Sequence, residues 1–298
     1  MPTVRTGPVV GFAGQLAILA ILARTVGLGP AGWLAGIGYG MVLLGALRRA
    51  RLGPADRVTL VRAVLVGAVT ALVADAVAAA VGADGLAGWL AGGAARPAAV
   101  AVLVPLAAVA LALDAVDGWV ARRTGTVSAL GARFDMEVDA FLILVLGAYV
   151  TGELGGWVLT LGLMRYAFAA AGWVLPWMRV ELPPRYWRKV VAASQGIALV
   201  VAASGLLPRP ASVAVVALAL ALLVESFARD VRWLWRRGRV VEGPVHGSVR
   251  GGPVRPGGHA DPADRQRRPA AAGGGGHAER DPRPGRGRPG LATGARPQ

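Results

Sequence analysis

The chain has 298 residues, and 55% of them are hydrophobic, so its mean hydropathy of +0.53 exceeds what a soluble domain of this size needs. It has no cysteine, and its three histidines all follow residue 240, which excludes thiol nucleophiles, disulfides, iron–sulfur clusters and histidine-based catalysis or zinc sites from the apolar part. Much of the net charge of +15 lies in the C-terminal tail and the loops. The composition predicts an all-α, polytopic membrane bundle whose chemistry would use carboxylates.

Apolar segments recur along the chain at lengths that suit a bilayer, for which about 17 to 25 residues are needed. We predict about eight transmembrane helices, near residues 8–26, 31–47, 58–81, 98–121, 132–151, 156–177, 189–207 and 211–228. The first segment follows Arg5 and resembles a signal sequence. No convincing small-residue cleavage site precedes the second segment, so we expect the first to be a retained helix.

This pattern divides the chain into three regions. Residues 1–52 hold two extra N-terminal helices, residues 53–239 hold the membrane core, and residues 240–298 form a tail rich in Gly, Pro and Arg. The tail has too little apolar surface to offset its ordering entropy, so we expect it to be disordered. Its basic residues are diluted by Gly and Pro, which favours a solvated extension over a site for anionic lipid or nucleic acid. No nucleic-acid partner is expected.

Basic residues are concentrated in alternate loops. Arginines cluster before the third segment, around residues 122–133, in residues 179–189 and after the last segment, whereas the loops between them have few. By the positive-inside rule, the basic loops and both chain ends are cytoplasmic. We therefore expect a multi-pass protein of the plasma membrane whose residues 113–139 open to the cytoplasm.

The stretch 113–139, LDAVDGWVARRTGTVSALGARFDMEVD, has an unusual set of acidic residues at the edge of two apolar segments. The four aspartates are Asp114, Asp117, Asp135 and Asp139. Carboxylates next to hydrocarbon are costly unless they are paired, neutralised or metal-bound. At about 100° per residue, the first two share one helix face and the last two share another, so two helices joined by a short turn would bring all four together.

Small residues accompany the carboxylates on these faces and leave room for a flat ligand; they are Gly118, Ala121 and Gly131. The sequence thus predicts a pocket that binds a cation. Each aspartate taken alone has an alternative, which is to lie in water or to pair with an arginine such as Arg122 or Arg133. The joint spacing argues against that alternative for the set.

The pattern Asp-x2-Asp-Gly-x2-Ala-Arg-x8-Gly-x3-Asp-x3-Asp is present in full between Asp114 and Asp139. It resembles the signature of the CDP-alcohol phosphotransferases, which are integral-membrane enzymes that make phospholipids from a cytidine-diphosphate donor. The surrounding hydropathy extends the resemblance to about Gly53–Arg237. It implies transfer of a phosphatidyl group from CDP-diacylglycerol to a small alcohol with release of CMP, and it implies a homodimer.

The resemblance also implies roles for the motif residues. Asp114, Asp117 and Asp135 would bind one or two Mg2+ or Mn2+ ions, which prefer such hard oxygen ligands. Asp139 would be the general base and would also contact a metal. Arg122 would neutralise phosphate oxygens, and the three small residues would let cytidine lie close to the backbone; the alternative for those three is helix packing.

Upstream, the segment GPADRVTLVRA resembles the family's Asn-x2-Thr-x2-Arg pattern, with Asp56 in place of the asparagine. Thr59 and Arg62 would then face the nucleotide pocket. The alternative is a helix start with an arginine at the membrane interface. The departure at position 56 leaves that residue without an assigned role.

The acceptor is the least specified part of the prediction. Arg133, Arg165 and Lys189 are candidate contacts for a phosphorylated acceptor such as glycerol 3-phosphate or inositol phosphate. The positive-inside pattern explains all of them except Arg165 equally well. Arg165 lies inside an apolar segment, where an arginine faces a cavity or a partner, and Glu225 is its candidate counterpart.

Three alternatives to this function stay open. Within the same class, the acceptor would be diacylglycerol and the donor of the CDP-choline type. In a different class, the aspartates would be the ion site of a divalent-cation channel or transporter, although such a protein should have acidic residues at successive depths. A catalytically silent membrane scaffold is the third, and the complete motif argues against it.

Overall fold

The computed structural model describes residues 6–47, 54–93, 99–124, 129–179 and 185–241. They form eight α-helices: α1 Thr6–Thr25, α2 Pro30–Leu47, α3 Pro54–Ala91, α4 Val100–Thr124, α5 Ala129–Leu154, α6 Leu159–Val174, α7 Tyr186–Ser204 and α8 Arg209–Val241. Two short 3-10 turns, Gly156–Val158 and Pro176–Arg179, flank α6. These ranges contain no strand, so the predicted all-α fold is confirmed. Helix α8 includes the first two residues of the tail predicted to be disordered, and the rest of that tail lies outside the described residues.

Five of the described helical segments are long and apolar enough to cross a membrane: Gly7–Thr25, Pro30–Leu47, Asp56–Ala91, Gly156–Val174 and Arg209–Arg237. Helix α4 adds a shorter apolar stretch, Val100–Asp114. This is the pattern of a polytopic helical membrane protein.

Helix α3 lies at the centre of the bundle, where it packs against α1, α2, α4 and α5. Glycines at four-residue spacing let α2 approach both α1 and α3 closely. A Cβ atom added to Gly36 would lie 2.6 Å from the Leu19 side chain and 3.3 Å from the Ala71 Cβ atom. Small residues at such helix contacts are a general means of close packing in membranes. The helix pair α1 and α2 is therefore tightly docked on α3.

A carboxylate of α3 secures the beginning of α2. The Gly29 and Gly32 backbone N–H groups each donate a hydrogen bond of 2.6 Å to Asp75, one to each carboxylate oxygen. The first N–H groups of a helix have no intrahelical acceptor, and the helix N-terminus favours negative charge. Asp75 satisfies both requirements and joins α2 to α3.

Two helices extend at least ten residues beyond the predicted spans. Helix α3 continues past residue 81 to Ala91, with a kink at Gly85, whose φ of 71° is a conformation that suits glycine. Helix α8 continues past residue 228 to Val241 because its last turns are amphipathic: Leu234 is fully buried, whereas Trp235 is half exposed.

Candidate active site

Three of the four predicted carboxylates come together in the structure. Asp114 from α4 and Asp135 and Asp139 from α5 each offer an oxygen atom, and these three atoms lie within 4.8 Å of one another. We call these three residues the carboxylate cluster. The i, i+4 spacing on α5 places two members on the same face of that helix, as expected. The side chains of Asp117, Gly118, Ala121 and Arg122 lie outside the described part of the structure.

The carboxylate cluster surrounds the guanidinium group of Arg62 on α3. Arg62 Nη1 donates to Asp114 Oδ1, and Nη2 donates to Asp135 Oδ1 at 2.6 Å and to the Asp135 carbonyl oxygen at 3.2 Å. The same Nη2 atom lies 3.2 Å from Asp139 Oδ1. One arginine thus links three helices at the site.

Arg62 and the carboxylates differ in their exposure to the surroundings. The Arg62 side chain is 0% exposed, whereas those of Asp114, Asp135 and Asp139 are 44%, 34% and 37% exposed. The cation therefore lies behind the carboxylates, and the carboxylates form the accessible surface of the site. Three carboxylates and one guanidinium leave a formal charge of minus two.

A divalent cation suits this arrangement in charge and in ligand type. Clustered carboxylate oxygens are ligands that Mg2+ and Mn2+ prefer. The carboxylates are partly withdrawn from water, so their uncompensated charge is costly. A doubly charged cation would neutralise the residual charge of minus two. The donor set therefore fits either of the two predicted ions and does not distinguish between them.

Arg62 belongs to a buried face of α3. Asp56, Thr59 and Arg62 recur every three residues and are 5%, 3% and 0% exposed. Arg62 is therefore enclosed by neighbouring helices at this level of the bundle. Gly131, in the first turns of α5, is partly buried.

The candidate acceptor contacts lie around the site rather than in the carboxylate cluster. Arg165 Nη2 donates to Glu137 Oε1 at 2.7 Å, and both side chains are exposed. The suggested counterpart of Arg165, Glu225, instead pairs with Arg229 on its own helix. Lys189 is exposed and close enough to Asp135 for their charges to interact.

Arg133 completes the set of candidate acceptor contacts and has an exposed side chain. An exposed arginine on the first turns of α5 agrees with a contact to a soluble anion and equally with positive-inside signalling.

The family model for CDP-alcohol phosphatidyltransferase matches residues 52–225, which is more than half of the chain. The chain belongs to the CDP-alcohol phosphatidyltransferase family. Its match covers α3 to α7 and the first part of α8, and it leaves out α1 and α2. Comparisons with curated proteins and with solved structures found no match. The resemblance predicted from residues 114–139 is thus confirmed, and the protein is a multi-pass membrane protein of a transferase family.

The ion pairs between Arg62 and the carboxylate cluster were not predicted from the sequence. The sequence pattern favours a place for Arg62 against the nucleotide and offers Arg122 and Arg133 as partners for the aspartates. A signal was present, because an arginine inside a long apolar helix requires a carboxylate partner. The motif contains several such carboxylates, and they are the partners that a buried Arg62 requires.

Proposed function

We propose that the protein transfers a phosphatidyl group from CDP-diacylglycerol to a small alcohol and releases CMP. The observation that supports this most is the convergence of Asp114, Asp135 and Asp139 on one buried arginine, which leaves an accessible surface of negative charge. The family acts by phosphatidyl transfer from CDP-alcohols. A pyrophosphate donor is itself anionic, so a cluster of this charge requires a divalent cation to bind it.

In this proposal, Asp114, Asp117 and Asp135 would hold Mg2+ or Mn2+. Such an ion would supply positive charge opposite the donor pyrophosphate and the departing CMP. Arg122 neutralises phosphate oxygens on the same side. Gly118, Ala121 and Gly131 leave space for cytidine, with Thr59 at the edge of that space.

Asp139 is the proposed general base. Its carboxylate accepts the proton of the acceptor hydroxyl as that oxygen forms a bond to the lipid-side phosphorus, and the bond from that phosphorus to the bridging oxygen breaks. The bridging oxygen leaves with CMP. Arg62, whose Nη2 atom lies 3.2 Å from Asp139 Oδ1, helps to fix the direction of this carboxylate.

A phosphorylated small alcohol is the acceptor that the charges around the site favour. Lys189 lies within electrostatic reach of Asp135, and Arg133 and Arg165 present exposed guanidinium groups. Such groups bind phosphate well. We further propose that the site opens to the cytoplasm at the plasma membrane and that the protein is a homodimer.

The test is CMP release by the purified protein in lipid nanodiscs with CDP-diacylglycerol, Mg2+ or Mn2+, and a panel of acceptors that includes glycerol 3-phosphate and inositol phosphate. We expect release with one class of acceptor and a phospholipid product of matching mass. CDP-choline with diacylglycerol is tested in parallel. Absence of CMP release with every combination would remove the proposal, and metal-ion flux into protein-containing vesicles would then favour a channel.

A further inference from the structure

The helix pair α1 and α2, which lies outside the family-matched range, reaches the helix that holds two of the aspartates. The Tyr39 ring of α2 stacks on the Phe141 ring of α5, with 5.2 Å between ring centroids and 20° between ring planes. Both rings are partly buried and pack against the main hydrophobic core. Stacked aromatic pairs contribute favourable energy beyond the area that they bury.

The stack lies close to the proposed chemistry. Phe141 follows Asp139 by two residues on α5, so both belong to the same helical turn. The Tyr39 side chain also lies within electrostatic range of the Arg62 guanidinium on α3. Tyr39 is therefore near both the cation of the site and the helix that presents Asp135 and Asp139.

The position of α2 relative to Arg62 is fixed by other contacts. Asp75 on α3 binds the first turn of α2, and Gly36 lies directly against Leu19 and Ala71. These contacts hold α2 against the helix that contains Arg62. A side chain that extends from α2 to α5 therefore constrains α5 relative to Arg62.

Small movements of α5 would matter for the site. A rotation of about 20° around the helix axis moves a carboxylate that lies about 6 Å from that axis by about 2 Å. Misplacement of a reacting group by about 1 Å can lower a rate about 100-fold. A displacement of about 2 Å would therefore be large enough to lower the catalytic rate.

We propose that Tyr39 is a positioning residue whose ring, stacked on Phe141, keeps the Asp135 and Asp139 carboxylates aligned with Arg62. The N-terminal helix pair is then part of the catalytic framework of this protein. The inference rests on the proposed transferase function.

The test compares the full-length protein with four variants in nanodiscs: Tyr39→Leu, Tyr39→Phe, Phe141→Leu and the Leu double variant. Leu34→Ala, at a side chain of α2 that is 76% exposed, is the control. The readouts are kcat and KM for CMP release, and Mn2+ affinity measured by electron paramagnetic resonance.

We expect Tyr39→Leu to lower kcat by about tenfold or more with the KM for the donor within about twofold, and to weaken Mn2+ binding. Tyr39→Phe keeps the ring and should stay within about twofold of the unaltered protein. The double variant should lose no more than either single Leu variant, because both remove one contact. The Leu34→Ala variant should be unchanged.

The inference would be overturned by an unchanged kcat in Tyr39→Leu, by additive losses in the double variant, or by a Tyr39→Phe variant as impaired as Tyr39→Leu. If the unaltered protein releases no CMP, the proposed function is wrong, but the positioning role of Tyr39 can still be tested. The Mn2+ affinities then decide the positioning role: a weaker affinity in Tyr39→Leu, restored in Tyr39→Phe, supports it, and equal affinities overturn it.

Discussion

Arg62 on α3 donates a hydrogen bond of 2.6 Å to the carboxylate of Asp135 on α5, although the two residues are 73 positions apart in the chain. The arginine is fully buried and the aspartate is one-third exposed, so the ion pair has a buried side and an accessible side. On the buried side, the Arg62 guanidinium orients the Asp135 carboxylate. The accessible side, shared with Asp114 and Asp139, is where a divalent cation and an anionic donor would bind.

Replacing Arg62 should destabilise the protein strongly in the absence of metal. In Arg62→Met, three partly exposed carboxylates lose their common counter-ion and its charged hydrogen bonds, each of which contributes about 1.5–3 kcal/mol. Thermal unfolding with and without Mn2+ measures this. Mn2+ should raise the Tm of the variant more than that of the unaltered protein, because the variant site has one more negative charge.

A matched control for this change is Arg229→Met, which breaks an exposed pair with Glu225 within α8. Exposed pairs contribute about 1 kcal/mol or less, so this variant should unfold nearly like the unaltered protein. Equal losses for Arg62→Met and Arg229→Met would show that Arg62 is not the counter-ion of the cluster.

Asp139→Asn should separate donor binding from turnover. The amide keeps the shape of the side chain but cannot accept the acceptor's proton, and loss of a general base lowers rates by about 100- to 10,000-fold. CMP release and binding of CDP-diacylglycerol are measured on the same preparation, with Glu225→Gln as the carboxylate-to-amide control. Turnover close to normal in Asp139→Asn would remove this residue as the base.

The bond from Asp75 to the start of α2 should contribute to stability. Asp75→Ala leaves the Gly29 and Gly32 N–H groups without their acceptor, which we expect to cost about 2 kcal/mol. The Tm in nanodiscs measures the loss. Asp84→Ala, at an exposed position of the same helix, is the control and should have little effect. Equal Tm values for the two variants would contradict the helix-capping role.

Arg165→Gln should weaken acceptor use if its guanidinium binds a phosphorylated acceptor. We expect the KM for the acceptor to rise about tenfold while the KM for the donor stays the same. Arg209→Gln, at the beginning of α8, is the matched control. If Arg165 serves only its exposed pair with Glu137, then Arg165→Gln and Glu137→Gln will both leave the acceptor KM unchanged.

The number and the approximate positions of the helices could be predicted from the sequence, because bilayer thickness fixes the length of an apolar helix. All eight predicted segments correspond to helices in the structure. Helix ends were less predictable. The extension of α8 to Val241 depends on burial of Leu234, a tertiary contact that apolar length does not reveal. The kink at Gly85 in α3 likewise depends on backbone geometry.

The site could be predicted in part, because helical spacing alone places Asp135 and Asp139 on one face. The place of Arg62 could not be found by spacing, since it comes from a helix far away in the chain. The contact between Tyr39 and Phe141 has no sequence signal for the same reason. Pairings between distant helices depend on how the bundle packs, and local patterns do not record them.

The most direct test of the central claim is the rate of CMP release from CDP-diacylglycerol as free Mn2+ is raised after complete chelation. The account predicts no release in the chelator, recovery as Mn2+ is added, and a need for about tenfold or more Mn2+ in Asp135→Asn, which removes one charged ligand. Release that continues undiminished in the chelator, or that needs the same Mn2+ in Asp135→Asn, would contradict it.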